Sequence, residues 1–343
     1  MLLSQGDVPK PSNYGKQIPW RGVNFSGLEL GYHPTVPDLQ LLNYYASKGM
    51  NTIRLPILWE YLESSLPCPI NADKAPACLK TDYLNKITYA INYMTSQGFT
   101  VILDLHNYMR YPWNASQPIN ISGGSPNSQD LVSVWTFLAK QYKDNPKVIF
   151  EIMNEPHEMK YNNQLDNTAL VNIQNAVIAG IRKADATNLI LVSGTDWSHL
   201  NSWVKKLYPY GTLNAELFKN GMKDPLNNYA YDVHEYFYAP NVNPSNDITV
   251  FANWLRQTNQ KAFIGEIGVS NDCSVCVGKD GDAAKFMRLM MQSSDVIIGW
   301  TAWSDEATYS NKDGYSVTPV NGVETPSMIN VFDTFLMPPK TLP

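Results

Sequence analysis

Along the chain, short runs of apolar and β-branched residues alternate with longer stretches in which apolar positions return every three or four residues. The short runs predict strands at 19–25, 52–57, 99–106, 148–153, 189–194, 229–234, 262–265 and 296–303. The longer stretches predict helices at 39–47, 83–97, 131–142, 168–184, 248–258 and 282–292. A short helix is expected near 200–207 and a closing one at 327–335. Strands separated by helices pair in parallel, and eight such units close a barrel. The expected fold class is therefore α/β, a single (β/α)8 TIM barrel. Gly49, Gly98 and Gly180 fall at or near predicted helix ends, where a left-handed residue turns the chain back toward a strand. An open doubly wound sheet would carry a Gly-rich phosphate loop after its first strand, but that position reads Asn24-Phe25-Ser26-Gly27-Leu28.

No Ser-, Gly- or Pro-rich tract divides the 343 residues, and no repeat is visible. One barrel domain over 1–343, with its core at about 18–340, is expected, without a separate second module. Charged residues make up 17% of the chain and aromatics 12%, including nine Trp and twenty Tyr. That balance suits a cleft for flat, weakly charged ligands. A formal charge of −5 without a basic run argues against nucleic acid or an anionic membrane as partner. No apolar stretch approaches the roughly 20 residues that span a bilayer.

The four cysteines fall in two close pairs, Cys68 with Cys78 and Cys273 with Cys276. Two local disulfides, free thiols and a single zinc site all remain open; disulfides would imply an oxidising compartment. The triplets Asn114-Ala115-Ser116 and Asn120-Ile121-Ser122 match glycosylation acceptors and fit secretion, although such triplets also arise by chance. The start, Met1-Leu2-Leu3-Ser4-Gln5-Gly6-Asp7, lacks a basic region followed by an apolar one. A secreted, extracellular protein whose signal peptide is missing from this sequence is expected.

In a barrel of this kind chemistry sits where strands end and βα loops begin. Those positions hold Arg54 after strand two, Asp104-Leu105-His106-Asn107 after strand three and Asn154-Glu155-Pro156 after strand four. Strand six ends in His234-Glu235-Tyr236, strand seven in Glu266 and strand eight in Trp303. Taken singly, each has an ordinary structural explanation. An Asn-Glu-Pro triplet is usually a turn, a terminal Glu often caps the next helix, and His106 or Arg54 can serve a buried polar contact. Together, carboxylates, histidines, an arginine, an amide and aromatics converge on one rim, which coincidence does not explain.

With these motifs in view, the sequence resembles glycoside hydrolase family 5. The matching stretches are Asn51-Thr52-Ile53-Arg54-Leu55-Pro56, Asp104-Leu105-His106-Asn107-Tyr108, Ile152-Met153-Asn154-Glu155-Pro156-His157, Asp232-Val233-His234-Glu235-Tyr236, Trp254-Leu255-Arg256-Gln257 and Gly265-Glu266. They run from about residue 18 to about residue 305, and Gly194-Thr195-Asp196-Trp197 resembles a further stretch found after strand five in the endo-β-1,4-glucanases of the family. The resemblance implies a retaining glycosidase acting on a β-glucan polysaccharide or oligosaccharide, with Glu155 as acid/base and Glu266 as nucleophile. Carboxyls roughly 5–5.5 Å apart would mean direct attack, a covalent intermediate and retention. Arg54 and Tyr236 would keep Glu266 ionised, and the anionic Glu266 would keep Glu155 protonated.

By the same resemblance Asn154 donates to the sugar 2-hydroxyl, while His106 and His234 bind sugar hydroxyls and orient the carboxylates. Trp303 would floor the subsite of the scissile sugar, and Trp197 would stack on the leaving-group side. Asn107, Trp59 and Trp113, together with Tyr111 and the more weakly placed Tyr32, are expected to extend the cleft. His157 would hold its loop. The enzyme would work as a monomer with neither metal nor cofactor. Two departures bear on specificity. Glu266 is followed by Ile267-Gly268-Val269 where a Gly pair is common, and Trp303 by Ser304-Asp305-Glu306, an acidic pair that could narrow the negative subsites or be a solvated loop. The rivals are a β-mannanase or other β-glucanase of the family, an inactive carbohydrate-binding barrel, and a metal enzyme using Asp104, His106 and Glu155.

Overall fold

A computed structural model describes residues 18–30, 39–68, 77–121, 124–161, 164–205, 213–240, 246–305 and 314–336. Eight parallel strands close into a barrel: β1 (Trp20–Asn24), β2 (Thr52–Ile57), β3 (Thr100–Leu105), β4 (Val148–Glu151), β5 (Ile190–Ser193), β6 (Tyr229–Phe237), β7 (Ala262–Val269) and β8 (Ile297–Trp303). Each pairs with its neighbours in chain order, and β8 returns to β1, so the sheet has no edge. Around it lie α1 (Leu39–Ser47), α2 (Trp59–Leu62), α3 (Thr81–Ser96), α4 (Ser128–Tyr142), α5 (Thr168–Lys183), α6 (Leu200–Val204), α7 (Asn214–Leu217), α8 (Asp247–Thr258) and α9 (Asp282–Gln292). The fold is the (β/α)8 TIM barrel that the alternation predicts.

Several boundaries differ. The expected closing helix is instead a π-helical turn, Met328–Phe332, running into a 3₁₀ turn, Asp333–Phe335. The helix expected at 200–207 ends at Val204, and 206–212 lie outside the described residues. A hairpin of Lys160–Tyr161 with Gln164–Leu165 is unforeseen. Gly49 and Gly98 have left-handed φ of 83° and 95° at the ends of α1 and α3, as expected. Gly180 does not end a helix; it lies inside α5, where α4 crosses closely. A Cβ there would fall 2.8 Å from Thr136 Oγ1 and 2.9 Å from Val132 Cγ1, both on stiff β-branched side chains.

The barrel interior is layered by the period-2 alternation of the strands. Ile102, Ile149, Leu191, Ala230 and Phe263 form one apolar layer, buried together. Two residues further along their strands stand Asp104, Glu151, Ser193, Asp232 and Gly265. The wall between barrel and helices carries the larger apolar core, which includes Trp59, Trp135, Trp203 and Trp300. The buried charged groups Arg54, Asp104, Glu151 and Asp232 therefore stand toward the carboxyl-terminal end of the barrel, with the apolar layer beneath them.

Strands β6 and β7 run on to Phe237 and Val269, well past the expected ends at 234 and 265. The alternation breaks because β7 contains a bulge: Val233 pairs with Ile264 but His234 pairs with Glu266, leaving Gly265 as an extra residue. The same slip occurs against β8, where Trp300 pairs with Ile264 and Ala302 with Ile267.

Both cysteine pairs are disulfides, Cys68–Cys78 and Cys273–Cys276, which settles the alternatives the spacing left open. Replacing Gly180 by Leu should force α4 and α5 apart and cost about 1–3 kcal/mol of stability, seen as a lower midpoint in chemical denaturation. An unchanged midpoint would show that the crossing tolerates a side chain.

Candidate active site

Arg54 stands at the centre of the polar end of the barrel, fully buried on β2. Its Nε and Nη2 donate to the two oxygens of Glu151 at 2.7 and 2.6 Å, a bidentate fork. Nη1 donates to Glu266 Oε1 at 2.8 Å and to Asn24 Oδ1 at 2.8 Å, and Nη2 also reaches Asn154 Oδ1 at 2.8 Å. Asp104 Oδ2 lies 3.0 Å away. One guanidinium thus faces three buried carboxylates. Burial alone would push Arg54 down, but Asp104 and Glu151 outweigh it and hold the group firmly protonated.

The carboxylates do not share that charge equally. Burial raises Glu151 to about 8 and Asp104 to about 7, against the pull of Arg54. Burial also works to raise Glu266, yet His234 and Arg54 more than compensate, helped by a hydrogen bond from the Tyr236 hydroxyl. Glu266 ends below the usual carboxylate range and stays ionised. Glu155 is pushed up, first by burial and then by the charge of Glu266, while its contact with His234 opposes the rise. The charge of Glu266 is therefore the second cause of the protonated Glu155, not the first.

His234 joins the two glutamates. Its Nδ1 lies 2.8 Å from Glu155 Oε1 and 3.4 Å from Glu266 Oε2, and its Nε2 lies 2.9 Å from Asp232 Oδ2. Burial disfavours the imidazolium, but the charges of Glu266 and Asp232 raise His234 well above its ordinary value. It has no exposed surface, so the expected contact with a sugar hydroxyl is replaced by this buried bridge. One oxygen of Glu155, one of Glu266 and a ring nitrogen of His234 all lie within 4.8 Å of one another.

Local backbone sets this geometry. The bulge frees the Gly265 carbonyl from the ladder, and Asn24 Nδ2 (2.9 Å) and Thr301 Oγ1 (2.5 Å) donate to it instead. A Cβ at Gly265 would fall 2.1 Å from Asp232 Oδ1, and one at Gly268 only 2.2 Å from Tyr236 Cδ1. These two glycines are the space in which Asp232 and Tyr236 lie. Glu155 itself has a left-handed φ of 41° in the turn after β4. His106 is tied by Nδ1 to Asp104 Oδ2 at 2.7 Å and faces Asn154 Nδ2 through Nε2 at 3.2 Å. With Asn154 Oδ1 taken by Arg54, its amide can present only Nδ2 to a ligand.

Two recesses meet at this rim. One, of about 570 Å³, is lined by Glu155, Tyr108, Arg110, Trp113, His157 and Trp197, among others, and falls within the usual size of ligand clefts. Trp197 is 40% exposed and lies flat on His157, with ring centroids 4.5 Å apart. Asp196, Trp197 and Ser198 all take left-handed φ, a turn that lifts the indole into the recess. His157 thus backs Trp197 and is held neutral, near 4, by burial and by Arg110. Asn114 also lines this recess, so a glycan on it would stand in the cleft. The second recess is lined by Trp303, His106, Glu29, Tyr61, Tyr108 and Trp113. Trp303 lies nearly parallel to His106, at 5.8 Å.

Trp59 and Asn107 do not line the cleft. Both are fully buried: Trp59 donates its Nε1 to Glu63 inside the wall, and Asn107 bonds Trp59 N and Glu60. Asp305 is not a solvated cleft acid either; its Oδ1 accepts Ser26 N at 2.9 Å and ties β8 to β1, while Glu306 and Tyr32 lie outside the described residues. Asn24, Glu151 and Asp232 belong to the site as well. Their signal in the sequence is a polar residue at the inward-facing period of an otherwise apolar strand. Asp104, His106 and Glu155 do not form a metal-sized cluster among the described residues. The groups close enough are Glu151, Asp232 and His234, and Glu155, His234 and Glu266, both built on the protonated His234.

The sequence matches the Cellulase (glycosyl hydrolase family 5) family over residues 12–306. Among curated relatives it is 34% identical over 272 residues to Endoglucanase 1 of Robillarda sp., a match covering 74% of this chain and 65% of that protein. The chain therefore spans just under two thirds of that relative. It is 28% identical over 337 residues to Endoglucanase 1 of Saitozyma flava, covering 92% of this chain and 89% of the relative. Among solved structures it is similar to XacCel5A in complex with cellopentaose, with a TM-score of 0.76, 30% identity and coverage of 93% and 99% of the two chains.

A bell-shaped pH dependence of kcat/KM is expected from these groups. Activity falls on the acid side as Glu266, held low, takes up a proton, and on the alkaline side as Glu155, held high, loses one. Tyr236→Phe removes one cause of the lowering, so the acid limb should move to higher pH while the alkaline limb stays. An unmoved acid limb would dissociate Tyr236 from the state of Glu266. Gly268→Ala must displace the Tyr236 ring, and kcat should drop by about 10²-fold with the fold intact by circular dichroism. Full activity would show that the ring's seat is not critical.

Proposed function

The chain belongs to glycosyl hydrolase family 5, and we propose that it is a retaining, endo-acting hydrolase of β-1,4-linked glucans, with Glu155 as acid/base and Glu266 as nucleophile. Its chief support is the pair of close carboxylates with opposite protonation preferences on one rim. One oxygen of each lies within 4.8 Å of one of the other, in keeping with the roughly 5–5.5 Å carboxyl spacing of retaining enzymes and with direct attack. Glu266 attacks the anomeric carbon while Glu155 gives its proton to the departing glycosidic oxygen. The glycosyl ester removes the negative charge of Glu266, so the repulsion acting on Glu155 falls. Glu155, now a carboxylate, takes a proton from water as that water attacks the ester and Glu266 leaves. Throughout, His234 stays hydrogen-bonded to Glu155, and Arg54 receives the negative charge returning to Glu266.

Asn154 is buried beneath the rim; with Oδ1 held by Arg54, Nδ2 is the atom left to meet the 2-hydroxyl of the sugar at the reacting carbon. Trp303 would floor that sugar's subsite, and Trp197 the leaving-group side, since its recess contains Glu155. The choice of a glucan follows from the endoglucanase names of the relatives and the cellopentaose bound by XacCel5A. A secreted monomer is proposed: two disulfides fit an oxidising compartment, and no described helix is long and apolar enough to cross a membrane.

A substrate panel tests the reading. Wild type should turn over soluble cellulose derivative faster than mannan, xyloglucan or mixed-linkage glucan, without loss on adding a chelator. Glu266→Ala should lose about 10³-fold or more. Added azide should restore turnover of an aryl β-cellobioside, yielding the inverted glycosyl azide. A preference for mannan would replace the substrate, absence of any turnover would leave a binding protein, and chelator inactivation would favour a metal enzyme. Full activity in Glu266→Ala would remove Glu266 from its role.

A further inference from the structure

Asn107 and Glu60 are polar, adjoin the cleft and take no part in the steps above. Asn107 follows His106 at the end of β3 and has no exposed surface. Its Oδ1 accepts Trp59 N at 2.7 Å, one of the N–H groups left without an intrahelical partner at the start of α2. That bond fixes the amide, so Nδ2 faces Glu60 and donates to Oε2 at 2.6 Å. The other oxygen, Glu60 Oε1, accepts Trp113 N at 3.1 Å. The short helix after β2 is thereby splinted to the loop after β3. A second tie runs beside it: the Tyr111 hydroxyl donates to Glu63 O, and its ring meets Trp59 edge-on at 5.1 Å.

The splint ends on Trp113, which is 48% exposed. Trp113 and Tyr108, 6.3 Å apart, are the two residues that line both recesses, the one holding Glu155 and Trp197 and the one holding Trp303 and His106. Together they stand as an aromatic ridge beside the point where a bound chain must pass from one recess to the other. An indole fixed there offers its face to sugar rings on either side of the bond being cut.

Resting on the glucanase reading above, we propose that the Asn107–Glu60 clamp is a positioning device for Trp113, and that through it the enzyme selects glucan chains that run across the cleavage point over chains that fill one side. Glu60 touches no substrate; its effect passes through the backbone of residue 113. A glutamine at 60 keeps one carbonyl acceptor and can hold one of the two bonds, whereas alanine holds neither.

A double-mutant cycle decides it. Cellopentaose and cellotriose turnover would be measured for wild type, Glu60→Gln, Glu60→Ala, Trp113→Ala and Glu60→Ala/Trp113→Ala, with thermal midpoints recorded alongside. Trp113→Ala should lower kcat/KM for cellopentaose about tenfold, mostly through KM, and cellotriose much less. Glu60→Ala should approach that loss, Glu60→Gln should fall between, and Glu60→Ala should add nothing in the Trp113→Ala background. Equal losses from Glu60→Ala in both backgrounds would overturn the clamp, because they report general destabilisation. So would a Trp113→Ala enzyme that keeps the wild-type chain-length preference, or a Glu60→Gln enzyme as impaired as Glu60→Ala. If wild type cleaves mannopentaose and not cellopentaose, the glucan assignment fails instead, and the same cycle read on mannopentaose still decides the clamp.

Discussion

Everything at the rim depends on one buried guanidinium being outnumbered. Arg54 contacts Glu151, Asp104 and Glu266, and a single positive charge cannot keep three desolvated carboxylates ionised. The surplus must be met by protons or by a second cation. Both occur: burial drives Glu151 and Asp104 up to about 8 and about 7, and His234 becomes an imidazolium between Glu155, Glu266 and Asp232. The negative charge settles where the donors are best arranged for it. That place is Glu266, which collects Arg54, His234 and Tyr236. The polar interior of the barrel is a charge distribution whose lowest state leaves Glu266 anionic and Glu155 protonated.

Geometry delivers that state because β7 is irregular. A regular strand would alternate faces without a break, so residues 265 and 266 could not both belong to the interior. The bulge at Gly265 adds one residue, sets Glu266 beside His234 and frees a carbonyl that Asn24 and Thr301 then satisfy. Gly265 and Gly268 leave the volume that Asp232 and Tyr236 fill. The apolar layer of Ile102, Ile149, Leu191, Ala230 and Phe263 closes the barrel beneath, which keeps water out and the electrostatic terms large.

The barrel and its reactive rim were legible because both follow from periodicity. Apolar runs separated by amphipathic stretches gave the eight strands, and strand ends gave Glu155, Glu266, Arg54, His106, Asn154, His234, Tyr236 and Trp303. What escaped notice has physical causes. The bulge at Gly265 breaks the alternation on which strand ends are read, so β6 and β7 looked short. Glu151 and Asn24 close β4 and β1 short of the strand ends expected at 153 and 25, so a search of those expected ends passed over the polar residue at the inward period of each strand. Trp59 and Asn107 were expected in the cleft because they follow strands, yet the short helix α2 turns Trp59 into the wall and takes Asn107 as its partner. Trp113 and Trp197 were named from the sequence, but the side-chain clamp on the one and the left-handed turn under the other are not revealed by composition.

The division of labour between the two glutamates is tested most directly by trapping. Incubation with a 2-deoxy-2-fluoro β-cellobioside bearing an activated leaving group slows breakdown of the covalent intermediate. Peptide mass spectrometry then locates the sugar. The account predicts one fluorocellobiosyl group, esterified to the peptide carrying Glu266, with loss of activity in step with labelling. A label on Glu155, or inactivation without any covalent adduct, would contradict it.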